Sequence, residues 1–195
     1  DPQSDLAAIG DDDLVEHRQC FVARALEGVA ADDRAVAAAI ADVAGILEHR
    51  IGALGRAARE HHDALAAEQR LAREKVNARV VNASISGDTT SGGRSRLPAL
   101  LTQHKPTHVI LELGGNDALR GLPLAMTQDN LGVMARASKA AGARVLITGM
   151  QMPPNYGRKY AEDFAAMFAT VAKSEGTALV PFLLKGVADI ADSEE

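Results

Sequence analysis

Short apolar segments alternate with longer helical segments in the second half of the chain, and this alternation limits the folds open to it. The apolar runs predict four strands, at residues 78–85, 108–113, 143–148 and 177–181. The segments between them predict three helices, at about residues 94–104, 127–141 and 160–174. Short apolar strands joined by helices are typical of parallel βαβ units, whose sheet is covered on both faces. The predicted fold class is therefore α/β, with a parallel sheet in a three-layer α/β/α sandwich.

A helical segment, residues 1–63, is predicted to precede this core, which takes residues 64–195. Residues 1–78 hold 20 alanines and no threonine, a composition that favours helix. Apolar residues recur there at spacings of three and four, which is the helical period. They form two stripes: Leu14, Val15, Phe21, Val22, Leu26 and Val29, then Val36, Ile40, Val43, Leu47, Ile51 and Leu54.

Charge and composition exclude several classes of function. A net charge of -5 argues against nucleic acid as a partner. The single cysteine excludes a disulfide framework, and no apolar run approaches the length of a membrane span. The adjacent His61 and His62 lack the spacing of a helical metal pair, so no metal site is predicted there. The oligomeric state and the compartment stay open. The sequence is compatible with a cytoplasmic protein and also with a periplasmic or secreted protein whose signal has been removed.

Two glycine-rich turns follow predicted strands, at Ser86–Gly93 and Gly114–Asp117. Both fall at the carboxyl edge of the predicted sheet, where α/β proteins bind ligands. Neither turn fits a phosphate-binding GxxxxGK[ST] or GxGxxG pattern. The simplest interpretation is chain reversal alone, and a ligand site at this edge is the alternative.

These two turns are part of longer stretches that resemble a known protein family. The stretch VNASISGDTTSGG at 81–93, together with LGGND at 113–117, resembles the SGNH (GDSL) hydrolases. Within that family it is similar to the branch of arylesterases, multifunctional thioesterase I and lysophospholipases. QMPPNYG at 151–157 and VPFLL at 180–184 are similar to that branch as well, and the resemblance covers about residues 65–186.

The resemblance implies a flavodoxin-like core and hydrolysis of esters or thioesters by a serine nucleophile, without a metal or other cofactor. It implies that the Gly87 N–H and the Asn116 side chain donate hydrogen bonds to the oxyanion. The substrate it implies is a small acyl ester or thioester.

The nucleophile and the base of that family have no counterpart in the sequence. No GDS triplet occurs, and neither serine nor threonine lies between Ser4 and Ser84. No histidine has an aspartate three residues before it, so the family's DxxH block is missing and no base is predicted. The weak positional candidate for the nucleophile is Asp12, in Gly10-Asp11-Asp12, but a carboxylate does not reproduce deprotonation of an alcohol by histidine.

No other residue near the two turns clearly replaces the missing nucleophile or base. Ser84 is expected in the strand and Ser86 in the turn that holds Gly87, whereas His104 and His108 are expected at the opposite edge. Two functions therefore stay open. One is an SGNH-class hydrolase that is truncated or rearranged and catalytically impaired, and the other is a non-catalytic α/β binding or interaction module derived from that fold.

Overall fold

The computed structural model describes residues 21–25, 73, 79–152 and 154–182. Five strands are present in this part: β1 Phe21–Ala25, β2 Arg79–Asn82, β3 His108–Leu111, β4 Arg144–Thr148 and β5 Ala178–Val180. Four α-helices accompany them: α1 Thr90–His104, α2 Gly115–Leu119, α3 Leu124–Ala140 and α4 Arg158–Glu175. A 3₁₀ turn, Pro154–Tyr156, precedes α4.

The five strands form one sheet in the order β2-β1-β3-β4-β5. β3, β4 and β5 are parallel, whereas β1 runs antiparallel to both of its neighbours, β2 and β3. β2 therefore points in the same direction as β3, and β1 alone is reversed. The carboxyl ends of β2, β3 and β4 consequently meet at one edge of the sheet, which is called the site edge below.

The core lies between the sheet and the helices. α3 contacts both α1 and α4, and its Leu131 and Met134 are completely buried. Val109 and Leu111 of β3 join the same apolar cluster. Ile110 points to the other face of the sheet, because side chains alternate along a strand, and it is buried too. Burial on both faces is the pattern of a three-layer α/β sandwich, as predicted.

The structure confirms the four predicted strands and three predicted helices of the core, with changed bounds. α1 begins at Thr90 rather than near 94, because the Thr89 side chain accepts a hydrogen bond from the Gly92 N–H and caps the helix there. α2 was not predicted; it begins inside the glycine-rich motif that was expected to be a turn.

The helical prediction is wrong at Phe21 and Val22, which lie in β1. Their apolar spacing is compatible with either structure, and hydrogen bonds to a strand on each side stabilise the extended backbone. The rest of the predicted helical segment and the boundary at residues 63 and 64 lie outside the described residues and stay predictions.

Candidate oxyanion-binding site

The two predicted donor residues lie together at the site edge. Gly87 belongs to the loop after β2, and Asn116 lies in α2, just after β3. The Asn116 Nδ2 donates a hydrogen bond of 2.9 Å to the backbone carbonyl of Asp88, the residue after Gly87. This bond joins two segments that are 28 residues apart in the sequence.

The Gly87 backbone conformation is set by a tight turn. The Asp88 N–H donates to the Ile85 carbonyl at 3.1 Å, and Gly87 has a φ of +78°. These are the features of a type II turn with Gly87 at its third position, where a positive φ favours glycine. The turn does not use the Gly87 N–H, which donates no hydrogen bond within the part of the chain that the structure describes. That N–H is therefore available to a ligand.

The Asn116 carboxamide is held in the first turn of α2. Asn116 is 3% exposed, and its bond to Asp88 fixes the direction of the amide group. A carboxamide carries two N–H donors and no charge, so a group of this kind can donate to a backbone carbonyl and to a second acceptor.

Two arginines hold the Gly87 turn from outside. The Arg120 Nη2 donates to the Gly87 carbonyl at 2.8 Å. The Arg96 guanidinium donates to the Asp88 carboxylate through Nε at 2.9 Å and Nη2 at 2.6 Å, and its Nη1 donates to the Ala83 carbonyl at 2.6 Å. The turn is thus fixed through its carbonyls and through Asp88, while none of the described residues accepts a hydrogen bond from the Gly87 N–H.

A buried polar cluster lies behind the two donors. Asp117 is completely buried, and its carboxylate accepts hydrogen bonds from the Thr90 N–H at 2.8 Å, from the Thr90 hydroxyl and from the Thr127 hydroxyl at 3.3 Å. The Asn130 Nδ2 donates in turn to the Thr90 Oγ1 at 3.0 Å. Every member of the cluster is paired, which is the condition under which buried polar groups are tolerated.

Tyr160, in the first turn of α4, is influenced by this cluster. Burial raises the pKa of the Tyr160 hydroxyl, and the negative charge of Asp117 raises it further. The Tyr160 Oη is buried and has no hydrogen-bond partner among the described residues. Its environment thus favours the protonated, neutral phenol.

The other predicted candidates do not complete a catalytic site. Ser84 lies after β2 rather than in it, and its N–H donates to the Asn82 Oδ1 at 2.9 Å, whereas Ser86 lies in the turn as expected. His104 ends α1 and His108 begins β3, at the amino end of that strand and away from the site edge. Asp12 lies outside the described residues.

No group of three or more histidine, cysteine or carboxylate side chains is placed to hold a metal ion in the described part of the chain. Within that part, no helix is both long and apolar enough to cross a membrane.

The sequence predicted Gly87 and Asn116 as site residues, but it did not indicate the residues that hold them in place. Asp117 stands inside the LGGND motif, and its position next to Asn116 is the signal that could have found it. Thr90 and Asn130 carry no such signal, because each is one polar residue in a helix and their contacts join residues 40 apart.

The fold defines a class of protein: an α/β sandwich in which Gly87 and Asn116 lie together at the carboxyl edge of the sheet. Residues 52–194 match the model of the GDSL-like lipase/acylhydrolase family. This chain belongs to that family.

Relatives and solved structures agree with this membership. Esterase TesA of Pseudomonas aeruginosa is 55% identical over 123 residues, which are 63% of this chain and 61% of the relative. The protein named thioesterase 1/protease 1/lysophospholipase L1 of Escherichia coli is 48% identical over 55% of this chain and 52% of its own length. The chain thus spans between half and two thirds of these relatives.

Two solved structures are similar in fold. The crystal structure of TesA has a TM-score of 0.63 and 52% identity, covering 68% of this chain and 73% of that one. The structure of AlinE4, described as an SGNH-hydrolase family esterase, has a TM-score of 0.61 and 39% identity, covering 66% of this chain and 69% of that one.

Proposed function

We propose that this chain carries the oxyanion-binding part of an ester or thioester hydrolase, and that its own hydrolysis is impaired. The observation that supports the first half is the hydrogen bond from the Asn116 Nδ2 to the Asp88 carbonyl, which brings the carboxamide next to Gly87. The second half is supported by the sequence, which has neither a GDS triplet nor a DxxH block.

The chemistry of the proposed site follows from its two donors. The carbonyl oxygen of an acyl ester or thioester accepts hydrogen bonds from the Gly87 N–H and the Asn116 carboxamide. Both bonds strengthen when a nucleophile attacks and negative charge develops on that oxygen, and each such donor is worth a factor of about 10²–10³ in rate. The substrate class is taken from the names of the relatives, an esterase and a thioesterase.

A specific observation favours the second candidate, a non-catalytic binding module. In the family that the sequence resembles, the serine follows the first strand, in the centre of the sheet. Here the strand between β2 and β3 is reversed, so its last residue, Ala25, lies at the edge opposite Gly87 and Asn116. A site with hydrogen-bond donors and no nucleophile would bind an acyl carboxylate or an ester without hydrolysing the ester.

The test combines hydrolysis, covalent labelling and ligand binding by the full chain. We expect hydrolysis of p-nitrophenyl acetate close to that of buffer, with no change after treatment with a fluorophosphonate. We also expect octanoate, the carboxylate product of an acyl ester, to shift the NMR signals of the Gly87 N–H and the Asn116 side-chain amide. An Asn116→Ala variant should lose most of this binding.

Two results would contradict the proposal separately. Rapid hydrolysis that a fluorophosphonate blocks would show that the chain has a working serine, and the claim of impairment would be wrong. If octanoate leaves the Gly87 and Asn116 signals unchanged, the assignment of the oxyanion-binding site would be wrong.

A further inference from the structure

The Asp117 carboxylate lies where the two donor segments meet. It is completely buried, and it belongs to the residue that follows Asn116. Thr90, its partner through both the backbone N–H and the hydroxyl, is only three residues after Gly87. The contact between Asp117 and Thr90 therefore joins the loop that provides one donor to the helix that provides the other.

The negative charge of Asp117 interacts favourably with the N-terminus of α1. Thr90 is the first residue of α1, and the first turn of that helix contains no acidic side chain. The N–H groups at a helix N-terminus are not satisfied within the helix and favour a negative charge. Asp117 supplies that charge from α2. Its attraction to the N-terminus of α1 holds α1 against α2, the helix that carries Asn116.

Further contacts fix the orientation of Thr90. Its hydroxyl donates to Asp117 and accepts from the Asn130 Nδ2. The Asn130 Oδ1 accepts from the Arg94 Nη1 at 2.9 Å, and Thr127 donates to Asp117 from α3. Three helices thus converge on one carboxylate.

We infer that Asp117 is a positioning residue: its carboxylate fixes the distance between the Gly87 N–H and the Asn116 carboxamide. Asp117 is completely buried, and its carboxylate is engaged by Thr90 and Thr127. This inference rests on the proposed oxyanion-binding function, and it assigns that site a residue which controls the separation of its donors.

The test measures octanoate binding by NMR titration of the full chain, followed at the Gly87 N–H and the Asn116 side-chain amide. Asp117→Asn keeps the size of the side chain, but its NH₂ group would face the donors of Thr90. Thr90→Val keeps the carboxylate and removes the hydroxyl. We expect each variant to weaken octanoate binding by about tenfold, within the range by which residues that do not contact a ligand modulate its binding. Asp163→Asn, which removes a charge from an exposed ion pair on α4, should bind like the unsubstituted chain.

The direction of the change in octanoate affinity distinguishes a positioning role of Asp117 from a purely electrostatic effect of its charge. Removing a buried negative charge near an anion site would strengthen anion binding by Coulomb's law. Unchanged or tighter binding in Asp117→Asn would therefore overturn the inference. If that variant does not fold, Thr90→Val decides: weaker binding supports the positioning role and unchanged binding overturns it. Failure of the unsubstituted chain to bind octanoate would instead overturn the proposed function, and this inference with it.

Discussion

Single residues at the site edge are constrained by backbone geometry as much as by contacts. Gly87 shows this most clearly. A Cβ added to it would have the Arg120 Nη2 as its nearest neighbour, at 3.9 Å, which is ordinary van der Waals contact. Space therefore does not require glycine at this position. The φ of +78° does, because side chains destabilise that region of the backbone.

We predict that Gly87→Ala lowers the free energy of unfolding by about 1–2 kcal/mol, the cost of the left-handed conformation. The matched control is Gly142→Ala, since Gly142 also has a positive φ, +86°, and a Cβ there would meet nothing within 4 Å. Both variants should lose similar stability in urea denaturation. Only Gly87→Ala should weaken octanoate binding, because only its turn carries a donor, and equal binding by the two variants would contradict the assignment.

Tyr160 gives a pH prediction at the same scale. Because its pKa is raised in the folded chain, the unfolded chain loses the phenolic proton first as the pH rises past about 10. The folded state then binds more protons than the unfolded state, so this contribution to stability is full below that pH and decreases above it.

Tyr160→Phe should therefore be as stable as the unsubstituted chain, or more so, at pH 7, where no hydrogen bond of the Oη is lost among the described residues. It should lose less stability than the unsubstituted chain between pH 9 and about pH 11. Urea denaturation at several pH values measures the difference. The chain has two tyrosines, so the difference in phenolate absorbance between the two proteins assigns the titration of Tyr160. Identical pH dependence would contradict the prediction.

At the scale of elements, the sequence predicted what is local and missed what depends on distant partners. The apolar runs of β3 and β4 and the long helix α3 between them follow from periodicity, which each segment carries by itself. α2 is only five residues long, too short for a periodic signal. The extended structure of β1 depends on β2 and β3, which lie more than 50 residues away in the sequence.

α1 contains a residue that is unfavourable in a helix interior, and its effect on stability can be tested. Pro98 lies inside the helix, where it provides no N–H for the Arg94 carbonyl and its ring disturbs the preceding turn. Pro98→Ala should raise the free energy of unfolding by about 1–3 kcal/mol. Pro123→Ala is the control, because Pro123 lies at the N-cap of α3, where a missing N–H costs little. Thermal unfolding compares the variants, and equal melting temperatures for both would contradict this account of α1.

At the scale of the whole molecule, the direction of one strand decides what the site can do. The sequence pattern predicted a parallel sheet, and the pairing of β3, β4 and β5 confirms it there. β1 departs from this because register and direction are set by neighbouring strands rather than by its own five residues. The two residues of the proposed donor pair could thus be selected from the sequence, and they lie close together, whereas the direction of the strand between β2 and β3 could not be predicted.

The direction of β1 can be measured directly. Facing residues of an antiparallel pair approach closely at every second position, so their Hα atoms give strong nuclear Overhauser effects, which the parallel pair of β3 and β4 should lack. We expect such signals between β1 and β3 at alternate pairs of the register, which places Phe21 opposite Leu111 and Arg24 opposite His108. β3 and β4 of the same molecule are the internal control.

The opposite result would have a definite consequence. If Phe21 were found beside His108 and Arg24 beside Leu111, β1 would be parallel, and the residues after Ala25 would emerge at the site edge, next to Gly87 and Asn116. The second candidate function would then lose the observation that favours it. With the antiparallel direction, Ala25 lies at the edge opposite the two proposed donors, and this position favours the second candidate function.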